Sequence, residues 1–210
     1  MKVLRLIVAG ALILCSFGIS AHAQDDNETC LSCHADNELT GLDHKGIEIS
    51  MYVTEASIDS SVHAGMGCVD CHTDLIDFED YPHAEELQKV DCSSNCHTEE
   101  GGIYAASAHG EARANPTAPT CASCHGNHNI MSHLSPNAPT SAKNLPYTCS
   151  NCHRRQVLTD DPDVKIVDSF DRYMRGIHAE GIQKGIGSAA SCDDCHGIHN
   201  LKKASDQTSM

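Results

Sequence analysis

The pattern of apolar and polar residues predicts a chain of short helices and loops with very little strand. Between Ile47 and Thr54 apolar residues alternate with polar ones, which is the period-two pattern of a short, half-buried strand. Helical spacing is clearest over 163–175, where apolar residues fall near one face and Gly176 follows the end. Two shorter helices are predicted at 82–90 and 103–112, with loops rich in Pro, Ser and Asn at 115–119 and 134–146.

The first 23 residues have the three parts of a secretory signal peptide. Lys2 and Arg5 form its basic start, residues 6–19 its apolar centre and residues 21–23 a small-residue cleavage signal. We therefore expect an exported chain that begins at Gln24 and resides in the periplasm, with an extracellular location as the alternative. An uncleaved anchor is the rival interpretation, but the apolar run is shorter than a membrane span. We expect no transmembrane helix in the mature chain.

Twelve of the thirteen cysteines belong to six motifs in which a histidine directly follows the second cysteine. In five motifs two residues separate the cysteines, and in the remaining one there are three. Two thiols at this spacing beside an imidazole form the attachment signal of c-type haem, because each thiol adds to a porphyrin vinyl group and the histidine becomes an iron ligand. The six predicted sites are Cys30/Cys33/His34, Cys68/Cys71/His72, Cys92/Cys96/His97, Cys121/Cys124/His125, Cys149/Cys152/His153 and Cys192/Cys195/His196.

A single motif of this kind has other interpretations, namely half of a zinc site or a redox dithiol. Six copies in an exported chain, each followed by histidine and none within a strand–helix pattern, favour haem. The wider motif at Cys92 and Cys96 has one extra residue between its cysteines, and a disulfide is its alternative.

An internal repeat emerges when each pair of motifs is written with the histidines that lie outside them. Three two-haem units result, at about 30–83, 92–128 and 149–199, within a single domain that spans 24–210. Each unit has two motifs and two additional histidines. His128 and His199 lie three residues after a motif histidine, too close to reach the opposite face of the same haem, so we expect each to reach a neighbouring haem.

These motifs resemble those of the multihaem c-type cytochromes of respiratory bacteria, over residues 30–199. The resemblance includes the fragments Ser-Val-His at 61–63, Ser-Ala-His-Gly at 107–110 and the two Cys-His-Gly-x-His stretches. It implies a mostly helical and irregular fold with little β structure, in which short helices and loops wrap around a stacked chain of haems with histidine on both faces of each iron. By this resemblance the six distal ligands are His63, His83, His109, His128, His178 and His199, with His44 and His133 left over.

The charge and the size of the chain limit what it can bind and how it can fold. Removal of Lys2 and Arg5 with the signal peptide changes the formal charge from −15 to −17, which makes nucleic acid an unlikely partner and a basic redox protein a suitable one. The acidic residues have a simpler interpretation, in which they only keep the protein soluble. With no Trp and few other aromatic residues, the mature chain has too little apolar surface for a large core of its own, so we expect the porphyrin faces to supply it.

Two classes of function follow from these observations. The first is electron transfer without catalysis, as a periplasmic shuttle or as the subunit of a membrane quinol-oxidising complex, with partners such as a membrane b-type cytochrome or a quinol dehydrogenase. The second is a multihaem reductase of nitrite, hydroxylamine or a sulfur oxyanion, which needs an iron with an open face. Assembly into an extracellular haem filament is a third possibility, and a histidine donated between subunits would be its sign. Because six additional histidines match six motifs, we expect electron transfer.

Overall fold

The computed structural model describes residues 22–43, 46–84, 87–115, 118–154, 169–203 and 206–208. The chain is mostly helical and irregular, with one small two-stranded sheet, as the sequence predicts. The strands are β1 (Thr40–Leu42) and β2 (Glu48–Ser50), and a 3-10 turn covers Thr73–Leu75. The helices are α1 (His22–His34), α2 (Glu55–Asp59), α3 (Cys68–Cys71), α4 (Thr98–Ala105), α5 (Ala108–Glu111), α6 (Cys121–His125), α7 (Leu145–His153), α8 (Ser169–Met174), α9 (Ile177–Gln183) and α10 (Cys192–His196).

The polypeptide has almost no apolar core of its own. Among the described residues the buried apolar side chains are Leu75, Ala138 and Ala179. Large apolar side chains lie instead on the surface, such as Leu134 at 81% and Ile198 at 65% exposure. Because a domain of this size normally buries most of its apolar area, the protein atoms alone do not account for the fold.

The predicted strand at 47–54 is shorter than expected and has a partner that the sequence pattern did not reveal. β2 pairs with β1 in an antiparallel hairpin whose register joins Gly41 to Ile49. The turn is closed by the Asp43 carboxylate, which accepts a hydrogen bond of 2.8 Å from the Ile47 amide. Ile49 is 41% exposed, so alternation here does not mark a strand that is packed on a core.

Two helix predictions are wrong. The described part of 82–90 is not helical, because the Gln88 amide donates a 2.8 Å hydrogen bond to the Asp74 carboxylate instead of continuing a helix. The helix predicted at 103–112 is divided into α4 and α5, since Ser107 caps a new helix by accepting a hydrogen bond from the Gly110 amide. Added at Gly110, a Cβ atom would lie 2.0 Å from the Tyr104 carbonyl oxygen, so only glycine permits the close approach at this break.

The third predicted helix lies partly outside the described residues. Residues 163–168 are among those not described, and the remainder forms α8. Gly176 ends this segment as predicted and also serves as the N-cap of α9, a helix that the sequence pattern did not predict. The predicted loop at 134–146 consists of successive turns, and α7 begins within its last two residues.

The N-terminal signal segment, residues 1–21, lies outside the described residues. Within the part of the chain that the structure does describe, none of the helices is long and apolar enough to cross a lipid bilayer.

Candidate haem-binding site

The second, fourth and sixth motifs each begin a short helix that is stabilised by its own spacer residue. In α3, α6 and α10 the first cysteine is the first helical residue, and the residue just before the second cysteine reaches back to the N-cap amide. The accepting side chains are Asp70, Ser123 and Asp194, with hydrogen bonds of 2.7, 2.9 and 2.7 Å respectively. This capping arrangement fixes both thiols on a single helical turn. The spacer of each motif therefore contributes to its geometry.

Two tyrosines tie the motif helices to the preceding helices. The Tyr104 hydroxyl donates to the Pro119 carbonyl, and the Tyr173 hydroxyl donates to the Ala190 carbonyl at 2.9 Å. Each acceptor lies two residues before a motif, and each tyrosine lies five residues before a predicted distal histidine. Burial raises the pKa of both hydroxyls, so they remain protonated donors. We did not identify these residues from the sequence, although their equal spacing from His109 and His178 was visible there.

Five motif histidines each face one histidine from outside the motifs. The ring-centre separations all fall between 5.9 and 6.4 Å, although the partners are far apart in the sequence. The chain therefore brings together ten of the twelve histidines that we predicted as iron ligands. The pairs are His34 with His83, His63 with His97, His72 with His128, His109 with His153 and His125 with His199.

This separation is the one required by an iron atom held between two imidazoles. A bond from a metal to an imidazole nitrogen is about 2.0 Å long, and the ring centre lies roughly 1 Å beyond, so two trans ligands have centres about 6 Å apart. Direct stacking of two rings without an intervening atom allows a closer approach, down to about 4.5 Å. The uniform spacing of five pairs with different ring angles therefore points to a common object between the rings.

Two glycines direct the distal histidines of the second and fourth motifs. Gly126 and Gly197 follow a motif histidine and adopt φ angles of 83° and 80°, which favour glycine. The chain reverses there, so His128 lies beside His72 and not beside its sequence neighbour His125. The prediction that these histidines reach a neighbouring site agrees with this placement.

Hydrogen bonds orient both rings of the first pair. The Nδ1 atom of His34 lies 2.8 Å from the Met51 carbonyl oxygen, and the Nδ1 atom of His83 lies 2.8 Å from the Ala84 carbonyl oxygen. A carbonyl can only accept, so each Nδ1 carries the proton and each Nε2 has a free lone pair. Iron-ligating histidines are typically held by such a second hydrogen bond.

Burial keeps several of the paired histidines neutral. It lowers the pKa of the imidazoles of His72, His109, His125, His128 and His153, and neighbouring histidines lower each of them further. For His72 the nearby Asp74 carboxylate partly opposes this effect. A neutral imidazole is the form that binds a metal, so the environment prepares these side chains as ligands.

A pocket at the second motif has the lining that a covalently bound haem requires. Both thiols, those of Cys68 and Cys71, open into it together with His128. Its apolar walls include Ile58, Met66 and Ile130. Thiols for two vinyl groups, a ligand for the iron and apolar contact for the porphyrin thus meet in one space.

The cysteines of successive motifs lie beside one another in chain order. First cysteines approach within the second and third units: burial raises the pKa of the Cys92 thiol and the nearby Cys121 raises it further, and the nearby Cys192 raises the pKa of the Cys149 thiol. Second cysteines approach between units, since Cys96 raises the pKa of Cys71 and Cys152 raises that of Cys124, although in both cases burial is the larger cause. Motifs two to six therefore follow one another in space as in the sequence. First cysteines meet within a unit, and second cysteines meet between units.

Two predicted attachment thiols, Cys33 and Cys195, are not brought together with other motifs. Both are exposed free thiols, and the contact made by Cys33 is a local one, a 3.9 Å hydrogen bond from the hydroxyl of its sequence neighbour Ser32. The physical reason is their position, because second cysteines meet between units and these two belong to the outermost motifs. Within the described residues no unit precedes the first motif or follows the last. Haem attachment at Cys33 and Cys195 therefore stays a prediction from their spacing.

Three candidate histidines among the described residues lie outside the ring pairs. His178, at the start of α9, and the motif histidine His196 are both exposed, and they do not form a sixth pair within the described residues. His133 is exposed and belongs to no pair, whereas His44 lies outside the described residues. No cluster of three or more His, Cys, Asp or Glu side chains in the described ranges has the arrangement of a metal site made by protein alone.

Comparison with protein-family models, with curated proteins and with solved structures found no match to this chain. The residues and their geometry are therefore the basis for assigning a function.

Proposed function

We propose that the protein is an exported multihaem c-type cytochrome that transfers electrons and does not transform a substrate. The observation that carries this proposal is the set of five ring pairs, each made of one motif histidine and one histidine from elsewhere, with centres 5.9–6.4 Å apart. Haem c, when bound, supplies reversible one-electron chemistry at its iron. The chain supplies two thiols and a proximal histidine at each of six motifs.

Two imidazoles at one iron leave no position for a substrate, which favours electron transfer over catalysis. A reductase needs an open coordination site and nearby acid–base groups. At five motifs the second histidine already lies across from the first, so the two imidazoles would both be available to bind an iron there and would leave no coordination site for a substrate. A reductase of nitrite, hydroxylamine or a sulfur oxyanion is the alternative function. Among the described residues only the sixth motif could provide its open coordination site, because His196 faces no second histidine there.

The order of the motifs supports transfer along the length of the molecule. The thiol contacts place neighbouring motifs side by side from the second to the sixth. An arrangement of this kind suits a protein that accepts an electron at one end and delivers it at the other. We assign it to periplasmic respiratory electron transfer, either as a shuttle or as a subunit of a membrane quinol-oxidising complex, and its acidic surface suits a basic redox partner.

The proposal is tested by the optical and electron paramagnetic resonance spectra of the purified mature protein, oxidised and reduced. We expect covalent haem at every motif, with at least five irons low-spin. The same sample should show no steady turnover of nitrite, hydroxylamine or tetrathionate. A protein without covalent haem, or one with steady turnover that disappears when a ligand histidine is replaced, would show that the proposal is wrong.

A further inference from the structure

The joints between successive units are built from the same three contacts. At each joint the first additional histidine of one unit faces the first motif of the next, as His63 faces His97 and His109 faces His153. The second additional histidine of the later unit faces back to the second motif of the earlier one, as His128 faces His72. His199 faces His125 in the same way at the second joint.

A main-chain hydrogen bond completes each joint at an equivalent position. We call the histidine that faces the next unit the forward histidine and the one that faces the previous unit the backward histidine. The amide of the residue before the forward histidine donates to the carbonyl of the residue two positions after the backward histidine. At the first joint Val62 donates to Ile130, and at the second Ala108 donates to Leu201, both at 2.8 Å. The two joints therefore have the same pattern of contacts.

The third unit presents the forward half of such a joint. His178 is the second residue of α9, just as His109 is the second residue of α5. His63 and His109 are half-buried because the following unit covers them, whereas His178 is exposed and Ile177 beside it is 79% exposed. The forward histidine of the third unit is thus accessible, and within the described part of the chain it faces no motif histidine.

The first unit contains the residues that would complete such a joint, but its backward histidine is paired within the same unit. Its backward histidine is His83, and this ring faces the first motif of its own unit at His34, 6.0 Å away and nearly parallel. The equivalent histidines of the other units, His128 and His199, both face the second motif of a preceding unit. His83 therefore occupies the position beside His34 that a forward histidine occupies at the other first motifs.

The second cysteines of the outermost motifs repeat this arrangement. At both internal joints a second cysteine of one unit lies beside a second cysteine of the next, as Cys71 does beside Cys96. The thiols in the equivalent positions at the two ends, Cys195 in the third unit and Cys33 in the first, are exposed, as Cys71 and Cys96 also are. Each end thus carries one half of a thiol contact as well as one half of the histidine contacts.

The charges of the two ends differ strongly. Residues 24–90 carry 16 acidic and two basic side chains, whereas residues 146–210 carry nine acidic and eight basic ones. Eight of the twelve basic residues of the mature chain thus lie in residues 146–210. Residues 24–90 have a formal charge of −14 and residues 146–210 a formal charge of −1, so contact between these two ends brings together less like charge than contact between two copies of the first unit. Salt screens the repulsion that remains.

We propose that two copies of this chain join head to tail through the same joint. His178 of one copy pairs with His34 of the next, and His83 of that copy is released to pair with His196 of the first. The exchange replaces one ligand pair, His34 with His83, by two, so each joint gains one iron–imidazole bond. The contact is heterologous and continues from copy to copy. It rests on the proposed function, since these bonds require haem.

The test uses the haem-containing mature protein at increasing concentration, in low and in high salt. Sedimentation velocity and light scattering report the size of the assembly, and electron paramagnetic resonance reports the spin state. We expect oligomers that grow with concentration and persist in high salt, where the repulsion between acidic copies is screened. About one haem in six should be high-spin in the dilute monomer and become low-spin on assembly. His178→Ala should remain monomeric and keep that high-spin haem at every concentration. His133→Ala, which changes an exposed histidine outside all pairs, should behave as wild type.

Three results would overturn the proposal while the electron-transfer function stands. A wild-type monomer with six low-spin haems at every concentration would mean that His178 pairs with His196 within its own copy. Oligomers that persist in His178→Ala, or growth that stops at a dimer, would exclude a continuing joint made by this histidine. Absence of covalent haem, by contrast, would refute the proposed function itself, and intact mass measured on the same samples separates these cases.

Discussion

Replacement of His109 by Ala tests whether the facing histidines are iron ligands. This side chain faces the motif histidine His153 at 5.9 Å and lies at the start of α5. If Cys149 and Cys152 hold a haem as proposed, removal of His109 would leave that haem with one histidine ligand. We therefore expect that haem to become high-spin and to bind an added ligand such as cyanide, while the other haems keep their spectra.

The size of the effect follows from the number of sites. One iron among six changes, so the high-spin signal of the variant should exceed that of the wild type by about one sixth of the haem. The unit joint should hold, because the hydrogen bond from Ala108 to Leu201 and the 2.8 Å ion pair between Lys203 and Glu111 remain in place. The surviving hydrogen bond contributes about 1 kcal/mol. A fall in haem content is therefore not expected.

The assay is electron paramagnetic resonance of the ferric protein, with haem content measured on the same sample. Added imidazole should restore the low-spin spectrum of His109→Ala, since it fills the position that the side chain left. His133→Ala is the matched control, because that histidine is exposed and faces no motif histidine within the described residues. An unchanged spin state in His109→Ala would refute the interpretation of the ring pairs as ligand pairs, and so would an equal change in the control.

Three further predictions concern the haem count, the tyrosine contacts and the reaction. Intact mass should match six covalent haems and a start at Gln24, whereas five haems with Cys92 and Cys96 oxidised would show that the wide motif is not an attachment site. Tyr104→Phe should lower the free energy of unfolding of the haem protein by about 1 kcal/mol through the lost hydrogen bond to Pro119, and Tyr147→Phe should change it little. Stopped-flow oxidation of the reduced protein by a basic redox protein should slow as salt rises, and a salt-independent rate would count against acidic docking.

The sequence predicts the local chemistry of the sites well because that chemistry is set by spacing. Three motifs form one-turn helices whose caps, such as Asp70, come from the spacer itself, so the positions of the thiols depend on few residues. The helix predicted at 82–90 failed for the opposite reason. Gln88 bonds to Asp74, which lies 14 residues earlier, and no local pattern reports that competition.

The contacts between motifs depend on the path of the chain, which spacing alone does not determine. The stretches around His128 and His199 are alike in sequence, which indicates that the second and third units are related. Their spacing also predicts that each histidine reaches a motif other than the one it follows. The sequence did not show that His83 turns back on its own unit to face His34. That difference arises because the first unit has no earlier motif beside it within the described residues, so its backward histidine takes the nearest first motif. Cys33 is left exposed at the same end.

The scarcity of apolar burial explains why ligand pairs occupy the long-range positions of this fold. The buried apolar side chains among the described residues are Leu75, Ala138 and Ala179, which together bury little area. Each ring pair, by contrast, joins segments about 35 to 75 residues apart, as His63 and His97 or His125 and His199 do. If the rings hold iron, the same bonds that set the spin state also close the loops of the chain. Redox properties and stability would then depend on one set of contacts. Rescue by added imidazole separates the two, because free imidazole restores the spin state without restoring the coordination bond that links the units.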